Sequence, residues 1–131
     1  GKKNDGNFFN TRAKFSPPFI ATVVAKTDST NIRVKYAKGQ VILNWEVKQD
    51  ELRVRHPETG GQNGIKNEGR IPTDEWVEVK WEILENSTTV SVNGDTKFEA
   101  DGDFSRLNSQ VGVGPAFGST VTLQSLTIEK L

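Results

Sequence analysis

The chain has 131 residues, of which 34% are hydrophobic and 26% are charged, and this is the size and composition of one globular domain with one core. Its 17 lysines and arginines balance its 17 aspartates and glutamates, which argues against a nucleic acid or an anionic membrane as the main partner. There is no cysteine for a disulfide, and no apolar run approaches the roughly 18 residues that a membrane span requires.

The sequence contains no methionine and begins with Gly1, which is typical of a module taken from a longer polypeptide. We therefore expect residues 1–131 to form a single β-sandwich domain of a larger protein, with residues 1–7 flexible. The cellular location then belongs to the parent protein.

Apolar and polar residues alternate with a period of two in the first half of the chain, which is typical of β-strands. The segments 19–26, 31–37, 40–47 and 51–56 follow this pattern. Short polar turns containing Gly39 and Asp50 join the last three segments and predict two hairpins. Residues 57–75 are rich in glycine, asparagine and proline, and they predict a long loop with a short strand at Ile65 or at 70–71.

The second half of the chain continues the pattern. Segments 76–84 and 88–94 alternate on either side of a polar turn, and Asn93-Gly94 is a strong turn signal before 95–100. Residues 109–119 and 120–131 supply one or two further strands, and 7–15 supply another. About ten short strands without a helix predict an all-β sandwich or barrel made of antiparallel strands.

Alternation assigns one face of each strand to the core and the other to solvent. The predicted core consists of Phe19, Ile32, Val34, Tyr36, Leu43, Leu52, Val54, Val77, Val79, Trp81, Ile83, Val90, Val92, Phe98, Val113, Leu123, Leu126 and Ile128. The opposite faces of three successive strands carry Arg33 and Lys35, Asn44 and Glu46, and Arg53 and Arg55. If these strands are neighbours, about 4.8 Å apart, the six side chains form one patch that suits one or two sugar rings.

The orientation of the middle strand is open, because a shift of one residue exchanges its two faces. Either Trp45 lies in the core while Asn44 and Glu46 are exposed, or the reverse holds. The first arrangement is favoured.

The patch has two interpretations. It can be a solvated sheet face, on which charged pairs contribute about 0.2–1 kcal/mol each. It can also be a ligand site, since arginine, asparagine and glutamate side chains form paired hydrogen bonds with sugar hydroxyls. Alternation places Trp76 on the polar side of its strand, where its ring can stack on a sugar.

Residues 74–100, DEWVEVKWEILENSTTVSVNGDTKFEA, combine a strand that begins with tryptophan, a short polar turn and a V-x-V-N-G strand. Together with the closing GSTVTLQSLTIEKL, they resemble the concanavalin A-like superfamily, which includes legume lectins, galectins, laminin G-like domains and several carbohydrate-binding modules. The resemblance implies a jelly roll of two curved antiparallel sheets whose concave sheet often holds a glycan. Residues of the types in the galectin set are present, but their spacing differs and those sites are not transferred: Asn44, Trp45, Glu46, Arg53 and Arg55. Family 66 carbohydrate-binding modules are closer in length.

Catalysis is not predicted. The glucanases of the superfamily carry E-x-D-x-x-E on one strand, and this string is absent from the sequence. The single histidine, His56, precedes a proline and has no obvious nucleophile near it in sequence. No cofactor or metal is predicted, although 93–95 and 101–103 offer oxygen ligands for Ca²⁺ as an alternative to their use as turns.

The sequence therefore predicts a non-catalytic carbohydrate-binding module whose glycan contacts Arg33, Asn44, Glu46, Arg53 and Arg55. Either Trp76 or Trp45 stacks on the sugar. The alternative is a protein-interaction or structural module of a larger bacterial protein.

Overall fold

A computed structural model describes residues 8–131 and shows two antiparallel β-sheets. Segment 1–7, which we expected to be flexible, lies outside the described residues. Within the described range the strands are β1 (Phe9–Asn10), β2 (Phe19–Thr27), β3 (Ile32–Tyr36), β4 (Gly39–Leu43), β5 (Leu52–Arg55), β6 (Gln62–Ile65), β7 (Val77–Ile83), β8 (Ser87–Val92), β9 (Asp95–Asp101), β10 (Val111–Gly114) and β11 (Val121–Lys130). No helix in that range is long and apolar enough to cross a membrane.

The strands are distributed over a six-stranded and a five-stranded sheet. The first has the order β1-β10-β3-β4-β5-β6, and the second has the order β11-β2-β7-β8-β9. The chain passes from one sheet to the other between β1 and β2, between β2 and β3, between β6 and β7, and on either side of β10. The predicted all-β, two-sheet antiparallel jelly roll is confirmed.

The core lies between the two sheets and is made by the alternation that the sequence displays. In β2 every second residue from Phe19 to Thr27 is buried, and in β7 every second residue from Val77 to Ile83 is buried. Each large apolar side chain buried in this way contributes roughly 1.5–3 kcal/mol. The predicted core residues are buried or packed against the buried cluster, so that prediction is confirmed.

Two further core residues come from loops, where alternation gives no signal. Phe104 is completely buried, and Ile71 is 5% exposed. The predicted short strand at Ile65 exists as β6, whereas residues 70–71 are not a strand.

The strand predicted over 40–47 is shorter than expected, since β4 ends at Leu43. Asn44 adopts φ of 50°, a left-handed conformation that leaves the extended path of the strand. Residues 44–51 therefore form a connection in which strand alternation no longer decides where a side chain points.

Candidate functional site

Two rows of side chains cross the outer face of the six-stranded sheet. In one row Lys35 of β3, Gln40 of β4, Arg55 of β5 and Gln62 of β6 are successive cross-strand partners. In the other row the partners are Arg33, Ile42, Arg53 and Gly64. We call these two rows the polar face. β3, β4 and β5 are thus neighbours, which is the condition under which the sequence predicted one patch.

A depression of about 230 Å³ lies on the polar face. Residues of both rows form its floor, and side chains from two connections form its walls. Trp45 and Glu46 come from the β4–β5 connection, and Phe117 comes from the β10–β11 connection. The lining residues are Arg33, Gln40, Ile42, Trp45, Glu46, Arg53, Arg55, Gln62 and Phe117.

Arg33 is held in one orientation by groups on three sides. Its Nη2 donates to Glu46 Oε1 at 3.2 Å, and its Nε donates to Asn31 Oδ1 at 3.0 Å. Its guanidinium carbon lies 5.3 Å from the centre of the Phe117 ring. A guanidinium has five N–H donors, so hydrogen atoms remain for a ligand.

Arg53 is held in a similar way on the opposite side of Ile42. Its Nη1 is 3.2 Å from Glu51 Oε2, and its Nε and Nη2 donate to Gln62 Oε1 at 3.1 and 2.6 Å. Its guanidinium carbon lies 4.1 Å from the centre of the Trp45 ring, within cation–π range. Both arginines are therefore ordered before any ligand arrives.

Phe117 is a wall residue that the sequence analysis missed. Its side chain is 55% exposed and its φ is 50°, a left-handed conformation that costs a non-glycine residue on the order of 1–3 kcal/mol. The loop is fixed from behind by the buried Ser119, whose Oγ accepts the N–H of Ala116 at 3.2 Å. The sequence signal that could have identified it is an aromatic residue between Pro115 and Gly118, in a segment predicted to contain a loop.

Comparison with known proteins gives similarity at the level of the fold. No protein-family model matches the sequence, and no curated protein matches it. Among solved structures, a tetrameric galectin from the ball sponge Cinachyrella sp. superposes with a TM-score of 0.72 at 14% identity, covering 93% of this chain and 99% of that chain. The carbohydrate-binding module CBM66 of Bacillus subtilis superposes with a TM-score of 0.65 at 16% identity, covering 94% and 81%.

A third solved structure, galectin LEC-6 of Caenorhabditis elegans, has a TM-score of 0.67 at 10% identity and covers 96% of this chain and 98% of that chain. This chain has the same two-sheet jelly-roll fold as these solved structures. The resemblance stated from residues 74–100 and the closing strand is confirmed as a likeness of fold.

Four of the six residues predicted to contact a glycan line the 230 Å³ depression of the polar face: Arg33, Glu46, Arg53 and Arg55. Asn44 and Trp76 lie elsewhere. Strand alternation predicted that both side chains are exposed, which is wrong for Asn44, whereas Trp76 is exposed but belongs to the other sheet.

Asn44 is buried, with 1% exposure, so the prediction that it is exposed on the sheet face is wrong. Its Nδ2 donates to the carbonyls of Ser29 at 3.1 Å and Ile71 at 3.0 Å, and its Oδ1 accepts the N–H of Ile71 at 2.7 Å. The amide therefore joins three segments of backbone and has no contact with the polar face.

Trp76 lies just before β7, in the other sheet. Its side chain is 44% exposed, as expected, but its ring contacts Lys26 of β2, whose Nζ lies 4.6 Å from the ring centre. It is therefore placed with the five-stranded sheet and does not line the depression.

Trp45 is neither in the core nor fully exposed, so neither of the two orientations considered for the strand is correct. The favoured arrangement, with Trp45 in the core, is wrong because the strand has ended before this residue. Trp45 is half-buried and lines the depression together with Glu46, while Asn44 is the buried residue of the three. Of the two tryptophans proposed to stack on a sugar, only Trp45 is at the depression.

His56 directly follows β5, and its side chain binds backbone groups of neighbouring loops. Its Nε2 donates to the carbonyl of Asp101 at 3.1 Å, and its Nδ1 accepts the backbone N–H groups of Glu58 and Thr59 at 3.3 and 3.2 Å. Both ring nitrogens are therefore engaged with backbone groups. The candidate calcium loops also serve as turns, and no three histidine or acidic side chains converge within residues 8–131.

A larger and shallower depression, about 530 Å³, lies beside the 44–51 connection and is lined by Asn44, Gln49, Arg70, Ile71, Pro72 and Thr73. Three of its four polar side chains, those of Asn44, Gln49 and Arg70, already have partners. Arg70 pairs with Asp50 at 2.6 Å and donates to Gln49 at 3.3 Å, and the Asn44 amide binds backbone groups. None of its described lining residues is aromatic, and we assign it no ligand.

Proposed function

We propose that the protein is a non-catalytic carbohydrate-binding module that holds a glycan in the depression of the polar face. The observation that carries the proposal is the combination of two aromatic rings with ordered arginine, glutamate and glutamine side chains around one depression. A sugar ring presents C–H groups on its faces and hydroxyls at its edge, so it needs both kinds of surface. Ligand sites in general combine apolar walls with a few well-placed polar groups.

Each group has a role that follows from its chemistry. Arg33 and Arg53 donate to hydroxyl oxygens, and Glu46 accepts from hydroxyl hydrogens. Trp45 and Phe117 offer rings for stacking. Because the arginines are held by Glu46, Glu51 and Gln62 in advance, little side-chain entropy is lost on binding.

The carboxylates support binding without hydrolysis. Retaining glycosidases need two carboxyl groups about 5–5.5 Å apart, and inverting enzymes place them somewhat further apart. Glu46 is the only carboxylate among the described residues that line the depression, and it is paired with Arg33. The shared fold of galectins and of CBM66 is consistent with a glycan as ligand, although the low identities transfer no residue.

Tryptophan fluorescence tests the proposal, because the three tryptophans occupy different environments. Trp45 is at the depression, Trp76 is exposed beside the other sheet, and Trp81 is buried. A glycan identified on an array of plant, fungal and bacterial sugars should change the emission of the wild type. Trp45→Phe should lose most of that change in emission and bind about two- to fivefold more weakly, because the phenyl ring keeps only part of a stacking contribution of about 1 kcal/mol.

Trp76→Phe is the matched control, since it makes the same substitution at an exposed ring that also contacts a cation. It should bind like the wild type and keep the change in emission. Equal effects of the two substitutions would contradict the proposed site. An array without a single bound glycan would contradict the function and favour the protein-interaction alternative.

A further inference from the structure

The polar face has a second depression, of about 190 Å³, beside the first. It is lined by Lys35, Ala37, Lys38, Gly39, Gln40 and Arg55. Gln40 and Arg55 line both depressions, so a ligand of two or more units that occupies one of them can reach the other. We call the second depression the cationic pocket.

The cationic pocket brings together Lys35, Lys38 and Arg55, and none of its described lining residues is acidic. Across residues 8–131, no ion pair joins any of these three cations to a carboxylate. The first depression differs, because Arg33 pairs with Glu46 and Arg53 pairs with Glu51. A concave surface lined by charges of one sign concentrates the electrostatic potential and attracts the opposite charge.

The sheet fixes the geometry of the pocket. Lys35, Gln40 and Arg55 are successive cross-strand partners, so they form a line across three strands. The line lies two residues along each strand, or about 7 Å, from the line of Arg33, Ile42 and Arg53. Lys35 is positioned further by the Phe8 ring, whose centre is 4.2 Å from its Nζ.

We propose that the glycan is acidic, and that the cationic pocket receives a carboxylate or sulfate group of the sugar next to the one stacked on Trp45. This inference rests on the proposed function and names its ligand class. Arg55 is suited to a planar pair of hydrogen bonds with an oxyanion, and the lysines act as point charges beside it. A neutral glycan would add no negative charge beside three cations that have no ion-pair partner among residues 8–131.

The attraction of an anionic group is confined to the cationic pocket. The whole chain has no net charge, so a polyanion is not drawn to the protein in general. The aromatic walls of the adjoining depression favour a ligand with stacking rings over an acidic peptide.

Two pairs of oligosaccharides that differ in charge test the inference by calorimetry at low and physiological salt. Oligogalacturonides and their methyl esters test a carboxylate, while sulfated and chemically desulfated carrageenan oligosaccharides test a sulfate. We expect the acidic member of at least one pair to bind at least about tenfold more tightly. Arg55→Gln should remove about tenfold of that affinity and bring it close to that of the neutral member.

Lys80→Gln is the matched control, because Lys80 is an exposed cation on β7 in the other sheet. It should leave both affinities unchanged. Lys38→Gln, in the β3–β4 turn, serves as the second variant if Arg55→Gln fails to fold.

The outcomes separate the inference from the proposed function. If the neutral and acidic members bind equally tightly and Trp45→Phe weakens both, the inference is overturned and the proposed function stands. Binding of neither member here and of no glycan on the array would overturn both. Equal losses from Arg55→Gln and Lys80→Gln, or equally tight binding of an oligothymidylate or a polyglutamate, would also overturn the inference, since any polyanion would then suffice.

Discussion

Residues with left-handed backbone conformations fall into two groups, those whose side chains tolerate this conformation and those whose side chains do not. Among residues 8–131 the non-glycine residues with positive φ are Asn31, Ala37, Asn44, Asn67, Asp74, Asn93 and Phe117. Asparagine and aspartate tolerate this region comparatively well, whereas alanine and phenylalanine do not. Ala37 lines the cationic pocket and Phe117 lines the first depression, so the less tolerated cases both lie at the polar face. Strained residues often cluster at functional sites.

Asn44 shows how much one buried amide can determine. Asn44→Ala removes three side-chain hydrogen bonds and leaves the N–H of Ile71 and two carbonyls without these partners. We expect the free energy of unfolding to fall by about 3–5 kcal/mol, measured by urea denaturation. Asn67→Ala is the control, because Asn67 has φ of 63° and is exposed. It should cost only about 1 kcal/mol. Equal losses would mean that the Asn44 hydrogen bonds do not matter.

At the level of the elements, the β7–β8 hairpin contains a buried chain of hydrogen bonds. The indole Nε1 of Trp81 donates to Thr88 Oγ1 at 2.8 Å, and the same hydroxyl donates to the carbonyl of Glu82 at 2.9 Å. Trp81 is 1% exposed, so the indole N–H has no access to water. The hydroxyl of Thr88 is therefore what allows a tryptophan to occupy the core at this position.

Thr88→Val keeps the shape of the side chain and removes the hydroxyl, so the buried indole N–H loses its acceptor. The free energy of unfolding should decrease by about 1–3 kcal/mol in chemical denaturation. Thr89→Val makes the same change one residue along, on the half-exposed outer side of β8, and should stay within about 0.5 kcal/mol of the wild type. A Thr88→Val protein as stable as the Thr89→Val protein would exclude the hydroxyl as a significant contributor.

The strands were predictable from the sequence because each one buries a single face, and its period of two records that burial. The same pattern identified Arg33, Arg53 and Arg55 as outward-facing residues. The 44–51 connection was not predictable, since its path depends on the contact of Asn44 with Ile71, 27 residues further along the chain. Consequently Asn44 was expected outside and Trp45 inside, and Phe117, in an irregular loop, carried no periodic signal.

For the whole molecule, equal numbers of acidic and basic residues conceal an uneven arrangement. The outer face of the six-stranded sheet carries four cations: Arg33, Lys35, Arg53 and Arg55. In the described part of the chain only two carboxylates form ion pairs with them, Glu46 with Arg33 and Glu51 with Arg53. The zero net charge argues against a nucleic acid or an anionic membrane as the main partner, but it does not describe the local charge of this face. A ligand that carries isolated negative groups fits both observations.

Tyr36 connects the two sheets and reports on the integrity of the whole fold. Its hydroxyl donates to the carbonyl of Phe15 at 2.6 Å, and its ring packs edge-on against Phe19 of the other sheet at 5.0 Å between centres. Burial raises the pKa of Tyr36 to about 12, above the value of about 10 expected in the unfolded chain. Between these values the folded protein keeps the proton that the unfolded chain loses.

The contribution of Tyr36 to stability is therefore complete below pH 10 and should decline as the pH rises from about 10 to about 12, by roughly 1.4 kcal/mol per pH unit. Denaturation across this range, compared with Tyr36→Phe, isolates the effect, because lysines titrate equally in both proteins. The stability advantage of the wild type, about 1 kcal/mol from the hydrogen bond at neutral pH, should shrink and then reverse. Since Tyr36 is the single tyrosine, the ultraviolet absorbance of its phenolate should appear together with the loss of tertiary structure. Phenolate absorbance that develops near pH 10 in a protein that is still folded would show that the hydroxyl is accessible to water and that the sheets are not closed around it.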